Sequence, residues 1–160
     1  MKNIMFFHGA AADIKSFDEK YIGQNFEKDE EGFFFTTNTS FEVVEKMNGE
    51  KKIYEDMYSA GAYAVYASVV TGNPPVVYPV FLSCKNPLTM KDIIENYCLN
   101  DEDPFDGCAQ QDFYDENTED ILGLMKDKNK DSIVLDWNNE IFAVVFSPNQ
   151  IRFALLEGDR

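Results

Sequence analysis

The sequence predicts a single α+β domain, on three observations. β-prone runs stand at both ends of the chain with helix-like segments between them. The length of 160 residues gives one real core and is too short for two comfortable ones. Aromatics make up 14%, with 14 Phe and 8 Tyr, which suggests a sheet-rich interior. Hydrophobic residues at 44% and charged residues at 27% are ordinary for a globular chain and exclude wholesale disorder.

The elements follow in order. Ile4 to Phe7 is a short apolar run closed by His8-Gly9, a strand feeding a turn. Residues 13–31 mix charges with isolated Phe17, Tyr21, Ile22 and Phe26, a loop with some helix. Gly32-Phe33-Phe34-Phe35-Thr36-Thr37 is a β-prone aromatic run. Asn38 or Ser40 then caps a helix carrying Val43, Val44 and Met47, stopped by Asn48-Gly49. From Ile53 to Val70, Met57, Ala60, Tyr63, Ala64, Ala67 and Val70 recur every three or four residues, the clearest helix in the chain. Gly72-Asn73-Pro74-Pro75 ends it, and Val76 to Cys84 is a strand bounded by Asn86-Pro87. Thr89 opens a capped helix from Met90 to about Tyr97. Residues 101–120 hold nine acids and no Lys or Arg, a solvated excursion with a short helix near Thr118 to Met125. Ile133 to Leu135 and Ile141 to Phe146 form a hairpin through Asp136-Trp137-Asn138-Asn139. Ser147 to Gln150 is a turn, and Ile151 to Leu156 is the closing strand. No internal repeat or low-complexity linker interrupts this order, so residues 1–160 are taken as one domain.

Charge and composition exclude several classes. With 29 acids against 14 bases the net charge is −15, which argues against direct nucleic-acid binding and against docking on anionic lipid. No stretch approaches the ~18 apolar residues of a membrane span, and the apolar run before His8 is too short for a signal-peptide core. Cys84, Cys98 and Cys108 form no CxxC pair and no disulfide framework. A cytoplasmic protein with free thiols is expected, and the Asn38-Thr39-Ser40 sequon is read as coincidence. The single histidine excludes two-His metal sites, and no metal is expected. Asp101 to Gly107 has Phe105 where a calcium loop needs an oxygen ligand, and its glycine falls one place late. Neither a P-loop nor a GxGxxG occurs, and no Ser or Cys sits in a nucleophile-elbow setting.

Four pieces stand in a telling order: Phe7-His8-Gly9, Gly32-Phe33-Phe34-Phe35-Thr36, Val77 to Leu88 with its Asn86-Pro87, and Phe142-Ala143-Val144-Val145-Phe146-Ser147-Pro148-Asn149-Gln150-Ile151. Together they resemble the ADP-ribosyltransferases of the His-Tyr-Glu class, in particular the small domains of phage and mobile-element polyvalent proteins. The pattern there is a [YF]HG start, a GxYFT segment, a strand ending in NP and a late VVFxPNQI. The resemblance runs from residue 4 to 153, with no motif in 101–120.

The resemblance implies a split β-sandwich with flanking helices and NAD as the substrate held in its cleft. It implies cleavage of the nicotinamide–ribose bond and mono-ADP-ribosylation of a macromolecular target, a protein by preference. By the same analogy His8 binds a ribose hydroxyl, and the Gly9 backbone meets the carboxamide, glycine permitting close approach. Phe34 falls on the family's Tyr position and stacks on the nicotinamide ring without the phenol hydroxyl. Thr36 contacts the ribose. The family's Glu slot, eight residues before Gln150, holds Phe142. Strand alternation makes Glu140, two residues earlier, the candidate catalytic carboxylate, with Gln150 a second polar candidate. The ordinary readings beside these are a turn histidine, a core Phe34, a solvent-facing Glu140 and a turn-forming Gln150.

The resemblance also implies an effector acting on a host or defence protein in the host cytoplasm. Two rivals keep the same chain without that activity. One is a weak or inactive transferase fold serving as a binding module. The other is an acidic inhibitor whose 101–120 face mimics nucleic acid for a basic partner.

Overall fold

The computed structural model describes residues 4–15, 32–39, 59–100, 102–106, 110–137 and 139–154. The expected loop through 16–31, the expected helix around Val43 to Met47, residues 53–58 of the expected Ile53–Val70 helix, Cys108 and residues 155–156 of the expected closing strand lie outside them; the described part of that strand ends at Phe153. Among the described residues seven strands and four α-helices follow in order: β1 (Met5–Ala10), β2 (Phe33–Thr36), α1 (Ala60–Thr71), β3 (Val76–Leu82), β4 (Pro87–Thr89), α2 (Met90–Tyr97), α3 (Gln110–Glu116), α4 (Thr118–Asp127), β5 (Ser132–Trp137), β6 (Glu140–Val145) and β7 (Ile151–Phe153). The architecture is α+β.

One mixed sheet runs β4-β5-β6-β2-β1-β3-β7. Only the β4–β5 pair is parallel; the other neighbours are antiparallel. The inner strands are buried on both faces, and that is why Ile133–Leu135 and Ile141–Val145 read as unbroken apolar runs. On one face Ile133, Leu135, Phe142 and Val144 pack under α2, α3 and α4 through Ile93, Tyr114, Ile121 and Met125. On the other, Val134, Ile141, Ala143 and Val145 join Phe6, Phe33, Phe35, Val80 and Leu82. The period-2 switch between the two sets fixes which way every side chain of β6 faces.

Local chemistry sets the helix ends. Ser59, extended at φ −116° and ψ 152°, caps α1 by accepting from Ala62 N at 3.1 Å, so this helix starts at Ala60 and not at the expected Ile53, and Gly72 ends it at φ 77°. Thr89 N donates to the Asp92 carboxylate at 3.0 Å at the start of α2, and this bond holds Asp92 below the usual carboxylate range. The small buried face of α1, with Ala60, Ala64 and Ala67, lies against β1.

Three further sequence expectations are corrected. The hairpin pairs further than expected, Trp137 with Glu140, and Asn139 just before Glu140 takes φ 63°, a conformation asparagine tolerates better than most residues. Asp136 and Trp137, expected in the turn, therefore belong to β5, and Glu140 opens β6. The acidic segment is not simply a solvated excursion: it carries α3, and Phe105 and Tyr114 are buried in the helix-side core. Pro87–Thr89, expected as a boundary, is a short strand paired with β5. No helix of the described residues is long and apolar enough to cross a membrane.

Candidate functional site

The centre of the sheet, where β1, β2 and β6 lie side by side, gathers most of the singled-out residues. β2 and β6 are fully laddered, with Phe34 opposite Val144 and Thr36 opposite Phe142. β1 is laddered along its whole length to β3. Between β1 and β2, by contrast, the ladder is the single pair Phe7 and Thr36. Past that pair the Phe34 carbonyl is hydrogen-bonded by the His8 ring, Nδ1 to O at 2.8 Å.

That bond fixes the state of the imidazole. A carbonyl only accepts, so Nδ1 carries the proton. Burial pulls the His8 pKa below its ordinary value, against the smaller opposing pull of the Phe34 carbonyl. The ring is therefore neutral at pH 7 and its Nε2 is a hydrogen-bond acceptor. Register with Tyr78 sets the imidazole on the face of Phe6 and Val80, and its ring lies 5.4 Å from that of Phe35. Phe34, Thr36, Phe142 and Glu140 share the opposite face. The sheet therefore lies between the two sets, beside the gap in pairing left by the short ladder of β1 with β2.

Gly9 sits beside this gap for a steric reason. A Cβ built there would lie 1.9 Å from Ala60 O and 2.9 Å from Ala64 N, both backbone atoms of α1. The close approach that glycine permits is thus occupied by a helix backbone.

On the other face Phe34 belongs to an aromatic set. Its ring is nearly parallel to Phe142 at 5.9 Å and edge-on to Tyr114 at 5.6 Å, and Tyr114 contacts Phe142 at 5.6 Å. α3, hidden in the acidic segment, thus covers the two positions where the motif has Tyr and Glu. One step toward the strand ends the chemistry becomes polar. Thr36 Oγ1 accepts from Asn38 N at 3.1 Å, and Asn38 Nδ2 donates to Glu140 Oε1 at 3.0 Å. Gln110 of α3 donates to the carbonyls of Glu140 at 3.0 Å and Trp137 at 3.1 Å.

Gln150 stands apart from this group. Its Oε1 accepts from Phe146 N and Ser147 N, each at 3.0 Å. Its Nε2 donates to Asp131 O at 3.0 Å and Ser83 O at 3.4 Å. Asp131 in turn accepts from the amides of Lys85 and Asn86 at 2.9 and 3.1 Å. The Asn86-Pro87 and Pro148-Asn149-Gln150 motifs are therefore two halves of one clamp that joins the ends of β3 and β6 to the start of β5. With both ends of its amide engaged, Gln150 acts as a structural tie.

Gln110 and Tyr114 carry no signal in the sequence, and Asn38 stands out there only as a helix-cap candidate and sequon residue. Asn38 lies two residues beyond Thr36, but only the β2–β6 register puts it opposite Glu140. Among the described residues no group of three or more His, Cys, Asp and Glu is arranged to hold a metal ion.

The family model for ADP-ribosyltransferase in polyvalent proteins matches residues 2–157. No curated protein and no solved structure matches the chain.

Proposed function

Because this chain belongs to the ADP-ribosyltransferase family of polyvalent proteins, we propose that it takes NAD as substrate and mono-ADP-ribosylates a macromolecular target, a protein by preference. NAD supplies an activated ribose: its C1′–nitrogen bond breaks with the electron pair passing to nicotinamide, and the acceptor nucleophile bonds C1′ and gives up its proton. The chain's own part is to bind, orient and stabilise charge.

The observation that carries this reading is the single-pair ladder between β1 and β2, with His8 hooked to the Phe34 carbonyl beside it. In a split sandwich, the finer form of this fold that we favour, that gap is the mouth of the cleft. The donor set suits a ribose. His8 Nε2 accepts from one hydroxyl on its face of the sheet; Thr36, with a hydroxyl of its own, and Glu140, with its negative charge, stand on the other face and reach the developing ribosyl cation where the strands part between β1 and β2. The carboxamide is assigned to the backbone of Gly9, whose Cα side is already taken by α1, and Phe34 borders the nicotinamide as one ring of the aromatic wall. Glu140 replaces the motif's glutamate from about two residues, roughly 7 Å, nearer the hairpin. The protein acts in the cytoplasm, that of the host where the gene is carried by a phage.

A second reading has its own support. The Phe34–Phe142–Tyr114 packing fills the motif's Tyr and Glu positions with apolar rings, as a fold retained for binding would. Its acidic face, residues 101–120, would then meet a basic partner.

Labelled NAD incubated with the protein and a cell lysate separates them. Transferase action labels an acceptor and releases nicotinamide, and Glu140→Gln lowers both by about 100-fold. A binding module gives neither product with either form. A nucleic-acid mimic instead loses its partner when the 101–120 acids are neutralised and is indifferent to His8.

A further inference from the structure

We infer that Asn38 is a positioning residue: it holds the Glu140 carboxylate in place and so sets where negative charge stands in the cleft. The inference rests on the reading above that Glu140 stabilises the ribosyl cation.

Glu140 is the exposed first residue of β6, where a glutamate left alone samples many rotamers. Its backbone is nevertheless fixed. Gln110 Nε2 donates to its carbonyl, and Trp137 pairs with it across the hairpin. The neighbouring rung is locked twice, Thr37 N to Ile141 O at 3.0 Å and Ile141 N to Thr37 Oγ1 at 2.9 Å.

Asn38 then reaches the carboxylate from a main chain pinned at both ends. Its N–H donates to Thr36 Oγ1, and its carbonyl accepts from Ala60 N at 2.9 Å, at the buried start of α1. The same segment thus links Thr36, the α1 helix that abuts Gly9, and Glu140. Its side-chain amide donates to Glu140 Oε1 at 3.0 Å.

The chemistry of the partner matters. A neutral amide orients a carboxylate without cancelling its charge, whereas a lysine or arginine in that place would. Among the described residues no cation forms an ion pair with Glu140. A carboxylate that must face a developing cation is best held in this way.

The experiment is a double-mutant cycle on nicotinamide release from NAD, with initial rates for wild type, Asn38→Ala, Glu140→Gln and the double variant. Asn38→Ala is expected to lower kcat about tenfold with KM for NAD changed less than about twofold, the size of one charge-assisted hydrogen bond. In the Glu140→Gln background the same change is expected to have no further effect, since Asn38 acts through Glu140. Asn38→Asp keeps the shape, replaces the donor by a second carboxylate, and is expected to lose at least as much; it serves if the alanine variant melts early. Equal slowing by Asn38→Ala in both backgrounds would mark a general structural role and overturn the inference. Turnover lost in Glu140→Gln but kept in both Asn38 variants would overturn the inference alone. No turnover in any form would overturn the transferase reading, and this inference with it.

Discussion

Gly9→Ala is expected to cost the fold about 3 kcal/mol, lowering Tm by about 6–12 °C for a chain of this size. The cause is space alone. Gly9 does not adopt a positive φ, so alanine meets no backbone penalty there. Its methyl group, however, would fall 1.9 Å from the Ala60 carbonyl oxygen. That atom belongs to a helix backbone and cannot rotate aside as a side chain would, so α1 must lift off β1. The overpacking cost therefore lies at the upper end of its usual range. Because Asn38 is bonded to Ala60 N, displacement of α1 also disturbs the segment that holds Glu140. Thermal melting and NAD turnover, measured on the same variant, are expected to fall together. Turnover lost at an unchanged Tm would instead mean that Gly9 serves the ligand and not the helix.

His8→Asn is expected to lower NAD turnover by about two orders of magnitude while the protein remains folded. Asparagine is chosen for its geometry: its side-chain amide stands where Nδ1 stands, so the bond to the Phe34 carbonyl can persist. What disappears is the acceptor at Nε2, which the proposed function assigns to a ribose hydroxyl. His8→Ala removes both and is expected to be at least as inactive and also less stable. If His8→Asn turns over NAD at the wild-type rate, the imidazole is a strand-to-strand fastener and no more. The two variants thus divide the part of His8 in the fold from its part in the reaction.

Much of this architecture is legible in the residues because local signals and tertiary need agree. Thr89 with Asp92 three residues on announces α2, and the helix runs Met90–Tyr97 as its pattern predicts. The alternation that set Glu140 on the face of Phe142 holds, since Phe142 and Val144 pack in one core and Ile141, Ala143 and Val145 in the other. β4 was missed because three residues carry no pattern of their own; their strand character comes from β5, some 45 positions away in sequence. α3 was missed because its acids dominate the composition, while the buried Tyr114 and Phe105 that anchor the segment look like isolated aromatics in a charged run.

The site divides along the same line. Motif positions could be read off the chain, but the partners that give them meaning come from register. Asn38 meets Glu140 across 102 positions, and Gln110 reaches it across 30. Gln150 was drawn toward catalysis by its place in a motif. Its four backbone contacts make it the tie between Ser83, Asp131 and the end of β6. A motif marks a position the fold or the chemistry requires, and only the contacts distinguish the two.

The chain has one histidine, so its imidazole gives an unambiguous pair of nitrogen resonances. Titration of uniformly 15N-labelled protein with carbocyclic NAD, in which a methylene replaces the ribose ring oxygen next to C1′, reports on the gap between β1 and β2 without turnover. The free protein is expected to show a neutral ring protonated on Nδ1. Added dinucleotide is expected to shift Nε2 saturably, as an acceptor taking a new hydrogen bond, and to leave Nδ1 on the Phe34 carbonyl. An imidazole spectrum unchanged up to the solubility of the dinucleotide would contradict the claim that His8 grips NAD.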